Sequence, residues 1–185
     1  MTKAILFDIS GVLHTDNQPI SGAVDLIKRL RGLGIPMRFV TNTSRATCQS
    51  VLNELKQMGF DIKSDEVFTA PLAIKRLCQT KGYRPFCLIH PDLTPEFSDL
   101  EQSQPNAVIV TDAAYLFSYD NLNKAFSLIM NGAPLLGIGR NRFFKSEGQL
   151  QLDAGPFIQA LEYASHVEAQ IIGKPASSFF HEALT

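Results

Sequence analysis

The sequence predicts an α/β protein built on a parallel sheet with crossover helices. Three observations carry that prediction. The chain opens on an uninterrupted apolar run, residues 4–7, of the kind that fills a strand buried on both faces. Strand-like and helix-like patterns then alternate as β-α-β-α-β as far as Thr69. The first two strand ends carry polar residues, Asp8 with Ser10 and Thr41 with Asn42, and open α/β sheets bind ligands beyond the carboxyl ends of their strands.

The elements follow in order. After the first strand, residues 14–20 are polar, with Asp16, Asn17 and Pro19, and read as a loop placed to form a flap over Asp8. Ser21 is the expected cap of a helix whose apolar positions are Val24, Leu26, Ile27, Leu30 and Leu33, with Gly34 ending it. Residues 36–40 form the second strand, followed by the hydroxyl-rich Thr41-Asn42-Thr43-Ser44. Thr43 or Ser44 is expected to cap a helix running to Met58, with Val51, Leu52 and Leu55 inward, and Gly59 stops it. A short strand over 67–69 closes this half.

Beyond Pro71 a helix over 72–79 precedes a strand over 86–89, and residues 91–104 are polar and irregular. A strand over 107–111 ends at Asp112. Leu122, Ala125, Phe126 and Ile129 mark a helix over 119–130, closed by Asn131-Gly132. A strand over 135–138 leads into Gly139-Arg140-Asn141-Arg142, and Leu150 and Leu152 alternate with glutamines as in an edge strand. Gly155-Pro156 opens a helix to Ser165, residues 169–172 form the last strand, and Ser177 or Ser178 caps a final helix carrying Phe179, Phe180 and Leu184.

Composition narrows the function classes. The 185 residues are 45% hydrophobic and 19% charged, as in an ordinary globular protein. A net charge of −1 offers no electrostatic case for nucleic acid or an anionic membrane surface, and no apolar run is long enough for a spanning helix. Cys48, Cys78 and Cys87 show no metal-ligand spacing and read as free thiols of a reducing, cytoplasmic compartment. Met1-Thr2-Lys3 leads directly into a strand rather than a signal peptide.

The residues with chemistry in them sit at strand ends. Asp8 is suited to act as nucleophile or metal ligand, or merely to cap a turn. Gly11 lets the backbone turn and bring an N–H close to an anion. Lys174, wedged between Gly173 and Pro175 after a strand, is a point charge fit for a phosphate or a carboxylate, or a solvated turn residue. His14 lies in the flap; His90 and Cys87 have no functional case.

Asp8-Ile9-Ser10-Gly11-Val12, Val40-Thr41-Asn42 and Gly173-Lys174-Pro175, in that order and spacing, resemble the first three motifs of the haloacid dehalogenase-like superfamily. The stretch between the second and third motifs resembles the cap of its NagD-like, class IIA, branch. The resemblance implies a Rossmann-like parallel-sheet core, incomplete here, over 1–70 and 171–185, with an inserted α/β cap of the C2 type over 71–170. It implies a phosphatase in which Asp8 attacks phosphorus to form an aspartyl phosphate. Mg²⁺ would be held by Asp8 and the Ser10 carbonyl, phosphoryl oxygens by Ser10, Gly11, Thr41 and Asn42, and Lys174 would neutralise charge. Asp112 and Arg140 are the substrate contacts expected from the cap, with a solvated turn as the other reading of the loop that carries Arg140 and Arg142. The expected partner is a small phosphorylated substrate or phosphoamino acid, and a homodimer through the cap is the assembly the branch allows. Dehalogenation fits poorly, since that branch uses no metal and a different cap.

Two departures from the family pattern shape the expectation. Where most family phosphatases carry a second aspartate as general acid and base, this chain has Ser10, whose hydroxyl has no useful pKa near neutrality. Alkoxide leaving groups suffer most from that loss, so P–N bonds, pyrophosphate or activated phosphates are the expected substrates. Second, the acidic loop that completes the family's metal site has no counterpart before Thr185. A truncated sequence with weak Mg²⁺ binding and little turnover is therefore expected, and a catalytically weak or inactive phosphate- or phosphoprotein-binding module is the alternative function.

Overall fold

A computed structural model describes residues 4–146 and 148–184. The architecture is α/β, with two separate parallel sheets. The first contains β1 (Ile5–Asp8), β4 (Met37–Thr41) and β5 (Val67–Thr69) in the order β1-β4-β5. Between β1 and β4 lie a two-residue-per-strand hairpin, β2 (His14–Thr15) with β3 (Gln18–Pro19), and helix α1 (Ala23–Gly32). Helix α2 (Cys48–Gln57) joins β4 to β5. Asp8 pairs with Val40 and Thr41 with Thr69, so the strand ends that carry Asp8 and Thr41 lie on one edge of neighbouring strands.

Helix α3 (Ala70–Lys81) leads from β5 to the second sheet. That sheet comprises β6 (Pro85–Leu88), β7 (Ala107–Val110), β8 (Leu135–Gly137) and, after a hairpin, β11 (Gln170–Ile171), in the order β11-β8-β7-β6. The hairpin is β9 (Phe143–Ser146) with β10 (Gln149–Leu152). Helices α4 (Tyr119–Met130) and α5 (Ala154–Ser165) cover the second sheet, and α6 (Ser177–Ala183) closes the described chain.

Burial follows the sequence pattern. Alternation along β4 sends Phe39 toward Ile27, Val51 and Leu55 of α1 and α2, and sends Val40 to the opposite cluster. Phe7 of β1 stacks on Phe39 with ring centroids 5.7 Å apart. That opposite cluster joins the two sheets: Val40 and Phe68 meet Ala73 and Ile74 of α3, Ile109 and Leu136 of the second sheet, and Phe179 of α6. A third cluster packs α4 and α5 on the four-stranded sheet through Ala125, Ile129, Ile158 and Leu161.

Several boundaries differ from the sequence expectation for local reasons. The flap over 14–20 is a hairpin, because Asp16 and Asn17 both adopt positive φ and form a two-residue turn. Helix α1 starts after Gly22, in the left-handed region, with no side-chain cap, rather than at Ser21. Leu26 and Leu33 are exposed, so the buried stripe of α1 is narrower than its apolar pattern. Helix α2 is capped by Thr47, whose Oγ1 accepts from Ser50 N at 3.1 Å; Thr43 and Ser44 stay in the preceding loop. Helix α3 begins two residues before the expected Leu72, because Thr69 caps it and Pro71 fits its first turn. Ala176, not Ser177 or Ser178, precedes α6.

Candidate active site

Asp8 stands at the end of β1, its side chain about half exposed. Its Oδ1 accepts from Ile9 N at 2.8 Å and from Lys174 Nζ at 2.5 Å. Oδ2 has no partner among the described residues. Gly11 takes φ +77°, a conformation side chains disfavour, and its N–H donates to the His14 carbonyl at 2.9 Å. This bond folds the Ser10–Gly11 turn against β2, and Ser10 forms a bridge with His14. The His14 ring keeps a buried Nδ1 without a hydrogen-bond partner.

Lys174 comes to Asp8 from across 166 residues because its backbone is held in place. Asn42 Nδ2 donates to the Lys174 carbonyl at 2.9 Å, and Asn42 Oδ1 accepts from Lys174 N at 2.8 Å. The preceding residue has to be glycine. A Cβ on Gly173 would lie 2.3 Å from the Ile138 carbonyl oxygen and 2.7 Å from Asn42 Oδ1. Gly173 N donates to that same Ile138 oxygen at 3.1 Å, which fastens the turn to the end of β8.

Thr41 is buried at the end of β4, with Oγ1 accepting from Thr43 N at 3.1 Å. Asp8, Ser10, Gly11, Thr41, Asn42 and Lys174 therefore belong to one neighbourhood: two adjacent strand ends and the turn hydrogen-bonded to them. The amide of Asn42 is committed to Lys174, which gives it a positioning role in this geometry.

The expected cap residues divide. Asp112, at the end of β7, is 3% exposed; it pairs with Arg45 and accepts from Ala114 N at 3.1 Å. It lines a small cavity between the sheets together with Asn42, Ser44, Thr111, Asn141 and Asp153. The hydroxyl of Thr111 is buried there without a partner. Arg140 is turned elsewhere. Its guanidinium grips Glu162 of α5 with two bonds of 2.7 Å, which hold the Glu162 carboxyl below its ordinary value. Arg140 and Glu162 line a surface groove with Tyr163 and His166, apart from Asp8 and Lys174.

Sequence reasoning missed Arg45, Thr111 and Asp153, whereas Asn141 lies in the 139–142 loop that it singled out. Arg45 stands in the same polar loop as Asn42, which was the one signal available for it. The cysteines offer no competing nucleophile, since burial pushes the thiols of Cys48 and Cys78 up to about 11 and that of Cys87 up to about 12.

Comparison with known proteins bears on the family and the fold. A family model described as haloacid dehalogenase-like hydrolase matches residues 5–102. The human haloacid dehalogenase-like hydrolase domain-containing protein 2 is 43% identical over 182 residues, covering 98% of this chain and 70% of that protein. A phospholysine phosphohistidine inorganic pyrophosphate phosphatase from Xenopus laevis is 41% identical over 189 residues with the same coverage. Among solved structures, a p-nitrophenyl phosphatase from Archaeoglobus fulgidus superposes with a TM-score of 0.88 at 26% identity, covering 99% of this chain and 73% of that one.

Proposed function

This chain belongs to the haloacid dehalogenase-like hydrolases and is an enzyme of their phosphatase kind, and we propose that its hydrolysis runs through an aspartyl phosphate on Asp8. The observation that carries the reading is the Asp8–Lys174 contact of 2.5 Å at the end of a parallel strand. Lys174 holds Oδ1 and orients the carboxylate, while Oδ2 is left to attack. A phosphoryl group delivered to that edge meets Oδ2 in line. The Oδ2–phosphorus bond forms, the bond to the leaving group breaks, and the leaving atom carries away the electron pair. Water then attacks the acyl phosphate and releases inorganic phosphate, which regenerates Asp8. Thr41, whose hydroxyl keeps its own proton to donate, flanks the transferred group and is the proposed holder of its oxygens, whereas the Gly11 N–H expected for that work is spent on the His14 carbonyl. Residues 71–170 act as the cap that covers the site, and residues 4–70 with 171–184 as the described part of the core.

The donor set fits a hard divalent cation. Mg²⁺ takes oxygen ligands, keeps several waters and is met by one or two carboxylates plus phosphate oxygens. The Asp8 carboxylate and the Ser10 carbonyl oxygen have that chemistry. When bound, Mg²⁺ would draw charge from the phosphoryl oxygens. Among the described residues no group of three or more His, Cys, Asp or Glu side chains could hold a metal.

Ser10 sets the substrate class. Its hydroxyl cannot protonate a leaving alkoxide at neutral pH. Imidazole, amine, pyrophosphate and aryl leaving groups need that proton less, and the Xenopus relative is named for phospholysine, phosphohistidine and inorganic pyrophosphate. The test is phosphate release from phosphohistidine, phospholysine, pyrophosphate, an aryl phosphate and a sugar phosphate, each with Mg²⁺ and with chelator, alongside BeF₃⁻ trapping on Asp8. Equal turnover of the sugar phosphate and phosphohistidine would refute the substrate preference. Undiminished turnover by an Asp8→Asn variant would refute the mechanism.

A further inference from the structure

The loop that follows β4 is tied to the other half of the chain at three successive points. Asn42 holds the backbone of Lys174. Arg45 Nε donates to Asp112 Oδ2 at the end of β7. Cys48 N, at the start of α2, donates to Glu96 Oε2 at 2.7 Å. The middle tie differs from the other two because it pairs full charges and one of them is buried. The Asp112 side chain is only 4% exposed, and its second oxygen is taken by the N–H of Ala114. Arg45 is the only cation paired with it among the described residues.

A buried carboxylate stripped of its one cation is far more costly than a broken surface pair. Arg45 also lies over the ring of Phe144 in β9, 4.7 Å from its centroid. Its planar guanidinium therefore meets two elements outside its own loop, the end of β7 and the β9–β10 hairpin. Lysine would keep the charge but lose both the fork and the stacking. Arg45 is three residues from Asn42, and residues 42–47 have no helix or strand ladder to fix them. Where Asn42 stands thus depends on what anchors the loop beyond it.

We propose that Arg45 is a positioning residue: by clasping Asp112 it fixes the loop so that Asn42 sets Lys174 on Asp8. The inference deepens the reading of Asp8 and Lys174 given above and rests on it for the consequence in turnover, but the clasp itself is observable without turnover. A salt bridge that only stabilised the fold would lower the melting temperature and leave kcat unchanged below it. A clasp that sets Lys174 lowers kcat, and it does so through Asp112 alone.

The experiment uses the purified protein with Arg45→Met, Arg45→Lys, Asp112→Asn and the Met/Asn double variant. It measures kcat and KM on an aryl phosphate with Mg²⁺, together with amide hydrogen exchange over residues 42–48. Arg45→Met is expected to lower kcat on the order of tenfold, with KM nearly constant, because small misplacements of reacting groups cost that much. Exchange at Thr43 and Cys48 should accelerate. Arg45→Lys should recover only part of the loss. In the Asp112→Asn background, Arg45→Met should cost nothing further. Additive losses, or wild-type kcat with wild-type exchange in Arg45→Met, overturn the proposal. If Asp112→Asn does not fold, the Met against Lys comparison decides by the same criteria. If the wild-type protein releases no phosphate, the functional reading fails on its own, and the exchange of Arg45→Met still decides the clasp.

Discussion

Asn42 and Lys174, 132 residues apart, are joined side chain to backbone in both directions, by bonds of 2.9 and 2.8 Å. A single amide side chain thus satisfies both the N–H and the carbonyl of a residue in a turn, as a neighbouring strand would. The consequence reaches Asp8, because the Lys174 side chain starts from a backbone that Asn42 has fixed and ends 2.5 Å from Oδ1. Neither residue is fully exposed or fully buried, so the arrangement is specified by hydrogen bonding more than by packing.

Removing the amide should therefore act on turnover more than on substrate binding. Asn42→Ala is expected to reduce kcat roughly 10- to 100-fold with little change in KM, the signature of a misplaced catalytic group. Asn42→Asp should be at least as poor. It keeps an acceptor for Lys174 N, loses the donor to the Lys174 carbonyl, and adds a negative charge beside an incoming phosphoryl group. Steady-state kinetics on an aryl phosphate, with circular dichroism to confirm folding, check both.

Ser10 gives an opposite, gain-of-function expectation. Asp at this position would supply a carboxyl group able to give and take the proton that serine cannot. Ser10→Asp should raise kcat/KM on alkyl and sugar phosphates by about tenfold or more, the low end of what acid–base catalysis contributes. Aryl phosphates and phosphohistidine should gain far less. The ratio of the two substrate classes, measured at one Mg²⁺ concentration, is the quantity that tests it. An unchanged ratio would remove the leaving-group argument while leaving Asp8 as nucleophile untouched.

The legibility of this chain depends on the range of the forces involved. Apolar runs and helical periodicity are local, so the parallel β-α-β units and the placement of Asp8 and Thr41 at adjacent strand ends were readable. Lys174 was readable as unusual because Gly173 and Pro175 flank it. What a side chain meets across the fold was not local. Arg140 looked like an anion contact from its glycine-containing loop, yet Glu162, 22 residues on, takes its guanidinium. Arg45 carried no mark that its partner would be Asp112, 67 residues away. Cap positions failed for a different reason: Thr43, Ser44 and Thr47 all carry a hydroxyl able to cap, and which one receives a helix N–H is settled by the backbone path of the loop, which brings Thr47 to Ser50 N.

The Arg140–Glu162 pair predicts a pH dependence of stability. Hydrogen bonds from Arg140 come first among the causes that lower the Glu162 carboxyl, ahead of the opposing effect of burial. A carboxyl depressed in the folded state stabilises the fold above its unfolded value, near 4.5, and that stability is lost as pH falls through the folded value. Glu162→Gln should cost about 1–2 kcal/mol at pH 7, where the charged bonds to Arg140 and the bond from Ala169 N are weakened. The deficit should shrink toward zero as pH falls through the lowered folded value and the wild-type carboxyl gains its proton. Thermal melting of the two proteins across pH 3–7 reads this directly. Arg140→Ala should follow the same stability pattern, with KM for small phosphorylated substrates unchanged.

Gly173→Ala tests whether the turn that carries Lys174 is fixed by space. Gly173 does not have positive φ, so backbone strain is not the issue. The obstacle is contact: the added methyl would sit 2.3 Å from the Ile138 oxygen and 2.7 Å from Asn42 Oδ1, well inside van der Waals separation. Neither neighbour is the free end of a flexible side chain. Ile138 presents a carbonyl that already accepts the Gly173 N–H, and Asn42 is bound at both ends of its amide. The turn must therefore move away from β8, from Asn42, or from both. The overpacking should destabilise the fold by about 1–3 kcal/mol. Because the displaced element carries Lys174, kcat should fall with it, by more than the loss of folded protein explains. Denaturant unfolding gives the first quantity and single-turnover kinetics at low denaturant the second. An alanine variant with wild-type kcat would mean that Lys174 reaches Asp8 from a turn free to shift.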